Sequence, residues 1–385
     1  MGLRLPRVED LQSRAHGPAT TSRVGIWLGL AFGICFLTGI WSHLQYDPPS
    51  WLPVGPSPAS LYRVTQGLHV ATGFASIPLL LVKLWSVYPR LFLRPPRPSG
   101  ALVVHLLERG SIAVLVGSAL FQVVSGALNV VQWYPWAFSF RATHEAMAWV
   151  AIGSLVLHVA VKLPVIRAAL GANPDPDRDP EDPDDGEAVA DRRTVLRTAL
   201  LASAATTLLT VGQAVPGLRR VSVFAVRDGD GPQGLPVNRT AEAAGATEAA
   251  SDPDFVLTVR HGDREVRLTR ADLAALPQRT HRLPIACVEG WSRQATWTGV
   301  AVRDLLALVD ADPGSDVRVT SMQTRGAFAS STLPADWVAD HRTLLALELN
   351  GETLSLDHGY PCRVIAPNRP GVLQTKWVEG LEVAT

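Results

Sequence analysis

The chain has 385 residues, enough for two or three domains, and its 35 basic and 35 acidic side chains cancel to a formal net charge of zero. No global basic bias argues for nucleic acid, which is not expected as a partner. Three cysteines, Cys35 within an apolar stretch and Cys287 and Cys362 near the C-terminus, do not make a disulfide framework.

Four apolar stretches come first, at 24–44, 61–85, 111–131 and 146–165. Each has about 20 residues or more, the length that crosses ~30 Å of hydrocarbon as a helix. The first has no small-residue cleavage site behind it and is not read as a signal peptide. Lys and Arg alternate in the connections: Arg4, Arg7, Arg14 and Arg23 before the first helix, and none in 45–60. Arg90, Arg94 and Arg97 come after the second, only Arg141 after the third, and Lys162 and Arg167 close the fourth. The bias puts the N-terminus and the end of the fourth helix on the cytoplasmic side of a plasma membrane. Trp51, Trp133, Tyr134 and Trp136 then fall at the outer interface, where aromatic belts sit.

Residues 173–187 read NPDPDRDPEDPDDGE, a solvated linker. Asp191-Arg192-Arg193-Thr194 and the Ala/Leu/Thr run to Val215 come next. They resemble a twin-arginine export signal inside the chain, or a fifth span whose Arg pair is a positive-inside anchor. Either reading places the C-terminal part of the chain outside. Residues 219–251 are rich in Gly, Pro, Ala and Thr and read as a second linker.

From Phe255 the pattern is that of a soluble α+β domain. Strands are expected at 255–259 and 265–268 around His261-Gly262-Asp263, and at 317–320, 344–349, 363–366 and 377–383. Short helices are expected at 271–276 and 302–308. The division is therefore a four-helix transmembrane bundle (1–170), an acidic linker (171–191), a fifth span (192–216), a linker (217–252) and a soluble domain (253–385).

Histidines inside a bilayer are costly and usually functional. His69 lies near the outer end of the second helix and His144 at the outer start of the fourth; His158 comes 14 residues later. Fourteen residues are nearly four turns, so His144 and His158 share a face about 21 Å apart. That spacing suits two haems stacked across a membrane, with imidazole as axial ligand. His69 and His144 form the first pair; an inner haem on His158 has no clear partner, since His105 and His43 are not well placed. The arrangement resembles the four-helix b-type cytochromes that serve formate dehydrogenases and hydrogenases. It departs from them where 22–29 has no histidine.

Cys287 lies in Ala286-Cys287-Val288-Glu289-Gly290-Trp291-Ser292, where a thiol without a nearby partner suggests a metal ligand. After that motif come Trp297-Thr298-Gly299-Val300, Leu344-Leu345-Ala346, Asn350-Gly351-Glu352, His358-Gly359-Tyr360-Pro361-Cys362-Arg363 and Lys376-Trp377-Val378. In order and spacing the motifs resemble the molybdopterin domain shared by sulfite oxidase, plant nitrate reductase and bacterial protein-methionine-sulfoxide reductase. The resemblance implies Mo-molybdopterin as cofactor, with Cys287 as thiolate ligand to molybdenum, a soft donor on a redox metal. It implies Glu289 near the metal, and His358 and Arg363 on the anionic pterin, where a guanidinium fork suits phosphate. Lys376, with Gln374 and Thr375 in the loop before it, would offer a cation and backbone N–H groups. Cys362 reads as core packing, Arg325 as a solvated loop arginine rather than a border of the substrate funnel, and Arg279, His281 and Arg282 are not aligned to an anion pocket.

The expected function is a membrane-bound molybdenum oxidoreductase moving an oxygen atom on the external face. A small oxyanion would be oxidised or an S- or N-oxide reduced, with one or two b-type haems coupling it to membrane quinone or another electron carrier. The alternative is a haem-only or cofactor-free membrane protein with a degenerate molybdopterin fold.

Overall fold

The computed structural model describes residues 18–46, 48–49, 51–52, 54–89, 100–171, 183–226 and 231–383. Arg4, Arg7, Arg14, Arg90, Arg94 and Arg97, on which the orientation reading leans, lie outside the described residues, as does 172–182 of the acidic stretch.

The chain divides into two compact units. The first holds 1–39, 68–212 and 220–224, and is helical. Helices α1 (Pro18–Leu44), α2 (Leu61–Val87), α3 (Gly100–Val130) and α4 (Phe140–Gly171) are long and apolar enough to cross a membrane. Their outward faces carry large apolar side chains such as Leu37, Leu107 and Val156, exposed at 69, 69 and 63%. That is the surface a helix presents to lipid. Inside, Phe36 of α1 meets Trp149 of α4 edge to face at 5.0 Å.

The fifth span differs from its expectation. Helix α5 runs Pro183–Thr210, so the Arg192–Arg193 pair lies within it and 183–191 is helix rather than linker. Among the described residues α5 is not one of the helices that meet the length and apolarity of a span, because its apolar part begins only at Thr194 and includes Arg197. It packs Ala199, Leu196 and Leu200 against Val24 of α1 and Leu79 of α2.

The second unit holds 40–67, 213–219 and 225–385. It is built on two sheets. One has the order β2 (Arg264–Thr269), β1 (Val256–His261), β10 (Val378–Val383), β5 (Val317–Ser321), β6 (Ser330–Leu333). Only its β1–β10 pair is parallel. The other runs β3 (Arg279–Ala286), β4 (Ser292–Ala301), β7 (Leu344–Leu349), β8 (Glu352–Thr353), with β9 (Arg363–Ile365) also on β7. Short helices α8 (Arg270–Ala275), α9 (Val302–Ala307) and α10 (Ala335–Ala339) cover the edges. A reciprocal capping box between Thr269 and Asp272 starts α8 where the apolar alternation of β2 ends. β4 and β7 approach so closely at Gly299 that a Cβ there would stand 2.6 Å from the Ala346 Cα, which is why the Trp-Thr-Gly motif has no side chain at that step.

The second linker also differs from expectation. Residues 241–250 fold as α6 (Ala241–Ala244) and α7 (Thr247–Ala250), and Ala241, Ala244, Ala246 and Ala250 are buried in the same core as Leu257, Val319 and Leu381. Alanine is small enough to lie flat on a sheet, and the composition that resembles a linker is here a close-packed layer. Val54, from the connection between α1 and α2, belongs to that core, and Trp41 and Leu52 pack against it.

Candidate functional site

The β3–β4 hairpin presents Cys287. Its N–H donates to the Trp291 carbonyl at 2.9 Å, and Gly290 N–H returns to the Cys287 carbonyl at 3.0 Å. Gly290, at φ +78°, occupies the left-handed region that lets the turn close. The thiol side chain is 1% exposed and borders a recess that also takes Ile285 and Trp291 from the hairpin. His358, Arg363 and Gly371 form a second side, and Leu235, Pro236 and Asn238 a third. A Cβ on Gly371 would stand 2.8 Å from the Ala286 carbonyl oxygen, so only glycine lets its loop meet the hairpin.

Three cations are buried around this recess and its loop, and every hydrogen bond they donate among the described residues ends on a neutral oxygen. Arg363 reaches the carbonyls of His358 at 3.0 Å and Gln374 at 3.2 Å and lies 5.1 Å over the Trp297 ring. Its Nε has no partner, nor has Gln374 Oε1. Arg369 donates to the Leu373 and Thr332 carbonyls. Lys376 Nζ donates to Asn238 Oδ1 at 3.0 Å and to the carbonyls of Arg239 and Asp357 at 2.5 and 2.9 Å. Burial pulls the Arg363 guanidinium down to about 9, Arg369 to about 10 and the Lys376 amine to about 7. Asp357 and Glu289 act on Lys376, whereas burial alone governs Arg363 and Arg369; buried charge held only by neutral oxygens is costly, so these two guanidiniums call for an anion. Trp377, at φ +53°, is a bulky residue in the left-handed region, held by its Nε1–H to the Leu356 carbonyl at 2.7 Å. Strain of that kind concentrates at working sites, and here it sits beside Lys376.

The other expected residues lie as described next to their partners. Burial, with the nearby Arg363 charge, lowers His358 to about 4, so the ring is neutral and its Nε2–H donates to Pro232 O at 2.7 Å. It borders the recess without contributing charge. Glu289 accepts from Trp291 Nε1–H at 3.2 Å and does not line the recess. Gln374 donates to the Arg369 carbonyl at 2.9 Å and Thr375 shares a hydroxyl pair with Ser331 at 2.7 Å, so both brace the loop rather than face the thiol. Cys362 is core, donating to the Val378 carbonyl, and burial pushes its thiol up. Arg279 pairs with Asp304 at 3.0 Å and His281 meets the His341 ring at 5.3 Å, away from the recess. Leu235, Pro236 and Asn238 escape a composition-based reading because they sit in a Gly/Pro-rich stretch. Leu235, the large apolar side chain of that stretch and 1% exposed, is the signal that it packs.

Residues 244–385 match the family described as oxidoreductase molybdopterin binding domain. This part of the chain is a molybdopterin-binding domain of the sulfite oxidase type. The chain is similar to mitochondrial sulfite oxidase of Drosophila melanogaster, 30% identical over 161 residues, 34% of this chain and 27% of that one. It is similar to YedZ1 of Azospira oryzae, named as a protein-methionine-sulfoxide reductase subunit, at 33% over 116 residues, 30% of this chain and 43% of that one. The methionine-sulfoxide reductase catalytic subunit MsrP of Gluconobacter oxydans is 30% identical over 123 residues, 28% of this chain and 39% of its own. The chain thus spans less than half the length of each of these three relatives.

The helical unit has a second cluster. The His69 and His144 rings lie 6.4 Å apart, centre to centre, between α2 and α4. His69 Nδ1 meets the Cys35 carbonyl at 2.9 Å and Thr38 Oγ1 at 3.2 Å; His144 Nδ1 meets Ser125 Oγ at 3.0 Å. Both rings are therefore oriented through Nδ1. Glycine stands beside each ring: a Cβ on Gly39 would be 3.3 Å from His69 Cε1, and one on Gly126 3.6 Å from His144 Cε1. His158 does not join this pair. Its electrostatic neighbours are Lys83, Lys162 and Glu108, and Glu108 accepts from Lys162 at 2.5 Å.

Proposed function

We propose that the chain is a membrane-bound molybdenum oxidoreductase that exchanges an oxygen atom with a small sulfur or nitrogen oxide on the external face. Its electrons pass through b-type haem to membrane quinone. The observation that carries this reading is the buried thiol of Cys287 bordering a recess that Arg363 also lines, a guanidinium whose hydrogen bonds end on neutral carbonyls. When bound, the molybdenum cofactor supplies two-electron oxygen-atom transfer. Cys287 donates a thiolate to the metal, and the bonded turn closed by Gly290 holds that sulfur still. Arg363 and Lys376 neutralise the anionic pterin, Arg363 through the Nε that has no other partner. Asn238 positions the Lys376 amine, and Trp291 and Ile285 keep water from the thiolate.

A haem between His69 and His144 is the electron carrier in this reading. His69 and His144, whose ring centres lie 6.4 Å apart, would hold that haem, since imidazole is a suitable axial ligand. One haem is proposed, on His69 and His144, whereas Lys83, Lys162 and Glu108 act on His158. The route outward is a twin-arginine-like signal at Arg192–Arg193, which exports domains already folded around a cofactor. Molybdenum and pterin analysis with a reduced-minus-oxidised spectrum, on one purified sample, tests the whole. Absence of molybdenum sinks the enzyme, and absence of a Soret change sinks the cytochrome.

A further inference from the structure

Two residues of α2 stand at the Cys287 hairpin. Tyr62 is 1% exposed; its N–H donates to Asn368 Oδ1 at 2.8 Å and its hydroxyl accepts from Ser42 Oγ at 3.4 Å. The Cys287 side chain is among the groups that act electrostatically on its phenol. Gln66, 8% exposed, directs Nε2 to the carbonyl of Val288, the residue after Cys287, at 3.5 Å. Residues four apart in a helix are neighbours on one face. Three residues beyond Gln66, on that face, is His69, about 10.5 Å along the axis from Tyr62 at 1.5 Å per residue. The helix is unbroken over Leu61–Val87.

Electron transfer falls off steeply across gaps and is favoured along bonded, closely packed atoms. Cys287–Val288, Gln66 and the backbone to His69 make such a run, broken only by the 3.5 Å contact. Tyr62 packs a buried π-system beside its start. On the functional reading above, we propose that electrons move between the molybdenum cofactor and the haem along this face of α2, entering through Tyr62 and Gln66. Each passage carries one electron, so one oxygen atom exchanged at the molybdenum takes two passages. Reduction of an S-oxide would draw electrons along this face toward Cys287, and oxidation of sulfite would send them away from it.

The test monitors the haem band in stopped flow, with full-length protein in detergent. Dithionite-reduced protein is mixed with methionine sulfoxide, or oxidised protein with sulfite, whichever wild type turns over. Gln66→Leu and Tyr62→Phe keep side-chain volume. In Gln66→Leu the haem change is expected to slow by about tenfold or more, and in Tyr62→Phe by about threefold. Turnover with a soluble dye, reduced viologen or ferricyanide, bypasses the haem and keeps most of its wild-type rate in both. Haem changes at the wild-type rate in both variants overturn the inference alone. A wild type with no molybdenum or no haem overturns the functional reading, and this inference with it.

Discussion

Asn368 and Tyr62 are 306 residues apart, yet the Asn368 carboxamide accepts the Tyr62 N–H at 2.8 Å and donates to the Gly55 carbonyl at 2.8 Å. Asn368 also donates its own backbone N–H to the Ala59 carbonyl at 3.1 Å. One buried side chain, 2% exposed, thus fastens the connection between α1 and α2 to the loop that leads to Lys376.

Asn368→Ala removes the side-chain bonds to Tyr62, Gly55 and Gln45, leaves the Tyr62 N–H buried without that acceptor, and puts alanine at φ +52° without asparagine's tolerance for that region. The expected loss of stability is about 3–5 kcal/mol, from the orphaned Tyr62 donor, the other lost bonds and the backbone. Asn368→Asp, which keeps the acceptor and loses the donor, falls between it and wild type. Thermal unfolding in detergent ranks the three.

The two clusters are expected to be separable. Cys287→Ser abolishes dye-linked turnover and leaves the visible spectrum of wild type. His144→Ala removes the haem band while molybdenum content stays. Elemental analysis and a spectrum on each variant check this, and loss of both signals in either variant contradicts it.

Lys376 gives a pH dependence of definite sign. In the cofactor-free fold its amine titrates at about 7, held down first by burial, whereas the unfolded chain keeps a proton to about 10.4. Between those values the unfolded state binds more protons, so the stability of cofactor-free protein rises as pH increases from 7 toward 10. Lys376→Met is expected to flatten that slope. Bound phosphate holds the amine charged, so the slope is also smaller in loaded protein. Melting temperature against pH for the three samples is the measurement.

Gly371→Ala pushes a methyl to 2.8 Å from the Ala286 carbonyl, and either the loop or the hairpin moves. Overpacking of this kind costs about 1–3 kcal/mol. The fold is expected to survive, by circular dichroism, while molybdenum occupancy falls.

How much of this is legible in the residues depends on which physics is local. The membrane helices are written in apolar length, and Cys287, Arg363 and Lys376 sit in motifs whose spacing survives into one neighbourhood. Helix ends are less legible: α3 starts at Gly100 rather than 111, since a helix need not stop where its apolar face does. β3 and β4 escape a search for alternation because buried strands alternate poorly; β3 ends in four successive buried residues. The alanine-rich 241–250 resembles a linker in composition, and only the sheet it covers reveals it as core. Asn238 and Asn368 are legible only in three dimensions, since their partners lie more than a hundred residues away.

Trp41, Leu52 and Val54, from the connection between α1 and α2, pack into the same core as the strands of the molybdopterin domain. A fragment cut at residue 244, where the family match begins, loses that apolar cover, the partners of Asn368 and the Leu235–Asn238 wall of the recess. Such a fragment is expected to expose that apolar surface to water and to aggregate more readily than the whole chain.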